Sequence, residues 1–184
     1  MVFNHDDKAL SFVDVEIDGI TPCLIHRLSG ERYHTVVDKA LVQDLSHVSK
    51  NKGWSGFDWK SLCKNHQLEV YKLMVQGDAT IQGLICLEVD ENWVEVHLVE
   101  SAPWNIGSSN KEFIGVGAHL FAIACRRSFE LGFEGFVSFR AKTSLIEHYV
   151  NDIGAYLMHP RQNRMVIETA RSRYLVDNYF GEGL

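Results

Sequence analysis

Glu112-Phe113-Ile114-Gly115-Val116-Gly117-Ala118-His119-Leu120 decides how the rest of this chain is read. Two glycines, one residue apart, stand where the polar stretch Glu100 to Lys111 gives way to an apolar helical pattern. With no Cβ, Gly115 and Gly117 let another group come close to the backbone. The first N–H groups of the following helix lack intrahelical partners, and the positive end of its dipole favours an anion there. Loop and helix start together form a cradle for a diphosphate, or, with no ligand, a tight turn. Two other cradles are excluded: Leu120 stands where a dinucleotide fingerprint needs its third glycine, and no Gly-Lys-Ser/Thr follows as a P-loop demands.

The 184 residues fit one domain, and 46% hydrophobic content with ten Phe, six Tyr and four Trp is enough to fill a sizeable core. A net charge of −6 speaks against a nucleic-acid binder, which would show a basic face, and suits a cationic co-substrate around a local anion site. Cys23, Cys63, Cys86 and Cys125 form no Cys-x-x-Cys, which points to a reduced, cytoplasmic setting. Asp6 and Asp7 against Lys8 are the opposite of a signal peptide, and no apolar run is long enough to cross a bilayer. The nine histidines show no metal-ligand spacing, so no metal is expected.

Phe12 to Ile20 alternates Val13, Val15 and Ile17 with Asp14, Glu16 and Asp18, the period of a half-buried strand. Cys23 to Arg27 and Arg32 to Val37 read as a hairpin, and Leu41, Val42, Leu45 and Val48 have helical spacing. Residues 51–59 carry Trp54, Phe57 and Trp59, either a substrate lid or rings anchored in the core. Leu68–Val75, Thr80–Val89 and Trp93–Val99 form an antiparallel meander. A helix follows from Val116 to Leu131, with His119, Arg126 and Glu130 as its polar stripe and Gly132 as its stop. Phe136–Arg140 is the next strand, a parallel neighbour of Trp93–Val99 across the helical crossover. Ser144-Leu145-Ile146-Glu147 has the form of a capping box. Met165–Glu168 is a last strand, and Thr169 caps a C-terminal helix.

This order of elements resembles the GNAT superfamily of acyl-CoA-dependent N-acyltransferases, best from about Thr80 to Ala155. The family's phosphate loop, Gln/Arg-x-x-Gly-x-Gly/Ala, is matched by Glu112 to Gly117 except that Glu112 replaces the first residue. Its Phe-Tyr-x-x-Leu-Gly-Phe helix end is matched by His148 to Ala155 with one residue inserted, and Lys142 stands where an Asn often touches the cofactor. The resemblance implies an α/β (α+β) fold: a mixed, mostly antiparallel sheet, a V-shaped splay between two parallel strands, and helices on both faces. The resemblance thins out at both ends; residues 1–184 are read as a single such domain, with residues 8–38 as an N-terminal β-hairpin extension.

The chemistry implied is transfer of an acetyl or other acyl group from acyl-CoA to a primary amine by direct attack. The diphosphate would lie on the amides of Phe113, Ile114, Gly115, Val116, Gly117 and Ala118, with Lys142 nearby. The pantetheine arm would pair with the strand edge at Leu98 and Val99. Such a cradle must open on a groove; a bend plugged by a side chain would remove the assignment.

An attacking amine must lose a proton, and a leaving thiolate gains from an acid. Tyr149 is the acid implied by its motif, or else a core aromatic. For the base, strict alternation puts Glu100 on one side with Val94, Val96 and Leu98, where an apolar surround would raise its pKa; Glu95 and His97 face the other way in reserve. The acceptor, a small molecule or a protein amine, is not specified, and a homodimer is left open. Two alternatives stand beside the enzyme: a catalytically inactive CoA-binding sensor or protein-interaction module on the same fold, and a partner-binding protein using the 12–38 hairpin edge.

Overall fold

The structure, a computed structural model, describes residues 12–181; residues 8–11 of the expected extension and the Met1–Leu10 stretch lie outside them. In chain order the strands and helices are β1 (Leu24–His26), β2 (Arg32–Tyr33), β3 (Thr35–Lys39), α1 (Trp59–Lys64), β4 (Leu68–Val75), β5 (Ile81–Val89) and β6 (Val94–Ser101). Then follow β7 (Phe113–Ile114), α2 (Val116–Glu130), β8 (Val137–Arg140), α3 (Ile146–Asp152), β9 (Tyr156–His159), β10 (Arg164–Ile167) and α4 (Thr169–Phe180). Seven strands form one mixed sheet in the order β3-β4-β5-β6-β8-β10-β9, antiparallel except for the parallel pair β6 and β8. This is the expected α+β class, with a mixed, mostly antiparallel sheet. A second, three-stranded sheet β2-β1-β7 joins the N-terminal hairpin to the residues just before Gly115. Of the expected hairpin, residues 24–26 and 32–33 pair, while Thr35–Lys39 leaves it to pair with β4 as an edge strand of the large sheet.

Period-two alternation sends each central strand's apolar residues to two separate cores. Leu73, Val75, Ile85, Leu87, Val94 and Val96 pack with α2, α3 and α4 on one face. Val70, Leu84, Cys86 and Leu98 pack with Leu45, Trp54 and Trp59 on the other. A strand buried on both faces reads as a continuous apolar run, as β5 does. Helix α2 starts at Gly115 (φ +95°) and ends before Gly132 (φ +78°), both in the left-handed region that favours glycine.

Several local expectations are corrected. His119 is not on a polar stripe: α4 covers it, its Nε2 lies 2.7 Å from Thr35 Oγ1, and its ring centroid is 4.3 Å from that of Tyr179. The Ser144–Glu147 capping box does not form, because a 3₁₀ turn over Thr143–Leu145 precedes α3 and no side chain caps it. Residues 42–47 form a 3₁₀ helix rather than an α-helix, and β9 was not anticipated.

The most consequential correction is a bulge in β6. Cys86 pairs with Leu98 but its neighbour Leu87 pairs with Val96, leaving His97 as the extra residue. One inserted residue reverses the facing of everything after it. Leu98 and Glu100 therefore share a face opposite to Val94 and Val96, and Val99 joins the α2 side.

Candidate functional site

Strands β6 and β8 pair only through Val94–Val137, Glu95–Ser138 and Val96–Phe139; β6 then continues without its parallel neighbour. The place beside the end of β8 is taken by residues 13–18, an extended strap. Val13 N–H donates to Arg140 O (2.7 Å), Lys142 N–H donates to Val13 O (3.0 Å), and Val13 makes a parallel bridge with Ala141. Val13, Val15 and Ile17 are buried in the core beside Val99, Phe139 and Tyr149, while Asp14, Glu16 and Asp18 point outward. The expected alternation of this segment is present, although among the described residues its only ladder contact is that one bridge.

Farther along, the strap reaches the start of α2. Gly115 N–H donates to Asp18 Oδ1 (3.0 Å), and Lys111 Nζ lies 2.8 Å from Asp18 Oδ2. A Cβ on Gly117 would lie 2.2 Å from the Glu16 carbonyl oxygen, and one on Gly115 would lie 2.1 Å from Thr21 Oγ1. The missing Cβ atoms thus do admit a close approach, and what approaches is the chain itself: the Glu16 backbone at Gly117 and the Thr21 hydroxyl at Gly115. Phe113 is corrected as a cradle amide: its N–H donates to Asn105 Oδ1 (3.0 Å), and Asn105 is fixed by Gln82. Ile114 pairs with Ile25 in the small sheet, and Ala118 is fully buried in α2. The expectation of an open cradle is likewise corrected, because the bend is plugged by Asp18 and Glu16.

Two cavities flank the strap. One of about 230 Å³ lies toward the end of β6, against Phe57, Val99, Glu100, Val116 and Gly117. The other, about 470 Å³, is bordered by Arg27, Gly107, Ile114 and His148. Glu16, Asp18 and Lys111 line both, so the strap is the partition between them.

The expected catalytic groups are dispersed. Tyr149 is fully buried and its hydroxyl donates to Val15 O (2.7 Å); burial pushes its phenol well above the usual tyrosine range. Glu100, turned by the bulge, accepts from Ser55 N–H (2.7 Å) and Trp59 Nε1–H (2.6 Å), and it lines the smaller cavity. Glu95 is bound to Arg164 Nη1 (2.9 Å) between β6 and β10, with Ser138 beside it, away from both cavities. His97 pairs with Glu88. Lys142 is exposed, with Nζ 3.7 Å from Asp14, and Leu98 is buried on the aromatic-loop face while Val99 borders the smaller cavity. Trp54 and Trp59 are anchored in the second core; Phe57 is exposed at the cavity wall.

No family model matches the chain, and no curated protein matches it. An acetyltransferase structure is similar in part. It is the IAA acetyltransferase from Bacillus cereus ATCC 14579, with 14% identity and a TM-score of 0.42 over 62% of this chain and 73% of that one.

Asp18, Lys111 and His148 were not singled out from sequence as members of the site. His148 Nε2 accepts the Ile17 N–H at 2.7 Å, with its Nδ1–H directed at Asp152. Tyr179, whose phenol burial raises to about 12, accepts from Thr21 N–H (3.3 Å) and donates to Gly115 O (3.1 Å). The one advance signal was the acidic–apolar alternation of residues 13–18, which gives the strand but not its destination. Among the described residues no helix is long and apolar enough to cross a membrane.

Proposed function

We propose that this chain is an acyl-CoA-dependent N-acyltransferase that transfers an acetyl or other acyl group to a primary amine. The observation that carries it is what the splay beside β8 accepts: an extended chain, with an anion on the Gly115 amide at the start of α2. An extended, hydrogen-bonding arm ending in an anion has the chemistry of pantetheine and diphosphate, and the helix start favours negative charge. The bend is plugged in this structure by Asp18 and Glu16, so the assignment requires residues 13–18 to leave it. The amides of Gly115, Val116 and Gly117 would then face the coenzyme's anion, with Val99 beside its arm. Bound acyl-CoA would supply an acyl thioester open to direct attack by the amine.

The remaining chemistry belongs to the chain. Glu100, oriented by Ser55 and Trp59 at the cavity wall, would take a proton from the acceptor, directly or through one water. Tyr149, kept protonated by burial, would give its hydroxyl hydrogen bond to the departing sulfur in place of Val15 O. Glu100 at the cavity wall favours a cationic acceptor.

A second reading draws on the same contacts: with Asp18 on the Gly115 amide and Tyr149 bound to Val15, the domain would be a non-catalytic interaction module. Thermal unfolding with acetyl-CoA, followed by thiol release over an amine panel, separates the two. An enzyme shows a raised Tm, abolished by Gly117→Glu, and amine-dependent thiol release. A module shows neither the release nor its loss in Tyr149→Phe.

A further inference from the structure

The strap is held differently from every other extended segment of the large sheet. β3 to β6 are joined by ladders of five to seven residue pairs, interrupted by bulges, whereas among the described residues the 13–18 segment makes one bridge and a handful of side-chain contacts. Few backbone pairings lower the cost of opening a segment, and the burial of Val13, Val15 and Ile17 sets the cost that remains. The strap also divides two cavities whose walls share Glu16, Asp18 and Lys111, so its departure would join them into one groove. Its outward departure would free the groups an acyl-CoA would need: the Gly115 amide, the face of Gly117, Lys111 and the Tyr149 hydroxyl.

We propose that residues 13–18 are an autoinhibitory occupant of the coenzyme groove, so that strap docking and acyl-CoA binding exclude each other. This rests on the acyltransferase function proposed above. Asp18 is the competing anion: it neutralises Lys111 and holds the helix-start amide. The extended Val13–Ile17 backbone is the competing arm, anchored at Arg140 and Lys142 at one end and at His148 near the other. The apparent Kd for the coenzyme is then the intrinsic Kd divided by the open fraction, and weakening the strap lowers it.

The test uses the full chain as wild type, Asp18→Ala and Val13→Pro, with acetyl-CoA as probe. Calorimetry gives the Kd, and hydrogen exchange reports the amides of residues 13–18. Val13→Pro removes the donor to Arg140 O at the end of the strap far from Gly115, so a gain there comes through the strap and not from phosphate electrostatics. We expect roughly tenfold tighter binding in both variants, and faster exchange over residues 13–18 when acetyl-CoA binds the wild type. Binding with the strap still protected, and no gain in either variant, overturns autoinhibition and leaves the acyltransferase function standing. Absence of binding in all three chains overturns that function as well. Should Val13→Pro fail to fold, the wild-type exchange measurement alone decides.

Discussion

The Asp18 carboxylate and the Gly115 amide form a 3.0 Å hydrogen bond across 97 residues of chain, and Lys111 closes the same carboxylate from the other side at 2.8 Å. The electrostatic demand of the α2 start is therefore met from within the molecule. A loop that has the local form of an anion site is one in this structure, with an internal carboxylate as its anion.

Gly117→Ala tests the closeness of that packing. Its Cβ would lie 2.2 Å from the Glu16 carbonyl, a backbone atom that cannot rotate aside, so the strap must shift. The expected result is a loss of about 1–3 kcal/mol in urea unfolding, with faster hydrogen exchange confined to residues 13–18. Unchanged exchange there would show that α2 and the strap are not in contact.

Glu100→Gln tests the carboxylate at the cavity wall. Two donors, Ser55 N–H and Trp59 Nε1–H, converge on its two oxygens, and an amide offers them only one. Stability should fall by about 1–3 kcal/mol. If Glu100 is also the base, kcat falls by about a hundredfold or more with little change in coenzyme Kd. A rate loss that follows only the unfolded fraction would restrict Glu100 to holding the aromatic loop.

Tyr149→Phe separates two roles of one hydroxyl. The variant loses the 2.7 Å bond to Val15 O and keeps the ring packed against Phe121 and Phe139. Acetyl-CoA should bind several-fold more tightly, because the closed strap loses about 1 kcal/mol, while thiol release slows. Weaker binding would contradict the role in holding the strap, and an unchanged rate of thiol release would contradict the role as acid.

His119 sets an acid limit on stability. Burial, with a smaller contribution from Arg126, lowers its pKa from 6.5 to about 3. The folded state thus binds fewer protons than the unfolded chain between those values. Its contribution is complete above about pH 6.5 and is lost as pH falls toward 3, at a slope approaching about 1.4 kcal/mol per pH unit. Urea midpoints from pH 7 to 4 should show this slope, and His119→Phe should flatten it.

The strands and helices were legible because burial writes its period into the sequence. Val13, Val15 and Ile17 alternate, β5 is apolar on both faces, and α2 runs from Gly115 to Gly132 as its glycines suggest. The parallel partnership of β6 and β8 also followed from the helical crossover between them. What failed was information not held in local period. A bulge at His97 leaves no mark in composition, yet it turns Glu100 to the other face. His119 looks polar on a helical wheel, and only the arrival of α4, fifty residues later, makes its position a core one. Gly115 and Gly117 correctly signalled a close approach to the backbone, but a missing Cβ does not say whether a ligand or another part of the chain will approach. That depends on Asp14 to Asp18 reaching α2 from almost a hundred residues away.

A crystal structure of the full chain grown with acetyl-CoA tests the central claim most directly. We expect the diphosphate on the amides at Gly115 to Ala118, the thioester beside Val99 and Tyr149, and residues 13–18 outside the splay. Acetyl-CoA bound elsewhere, or missing from crystals in which Asp18 still holds the Gly115 amide at saturating concentration, would contradict it.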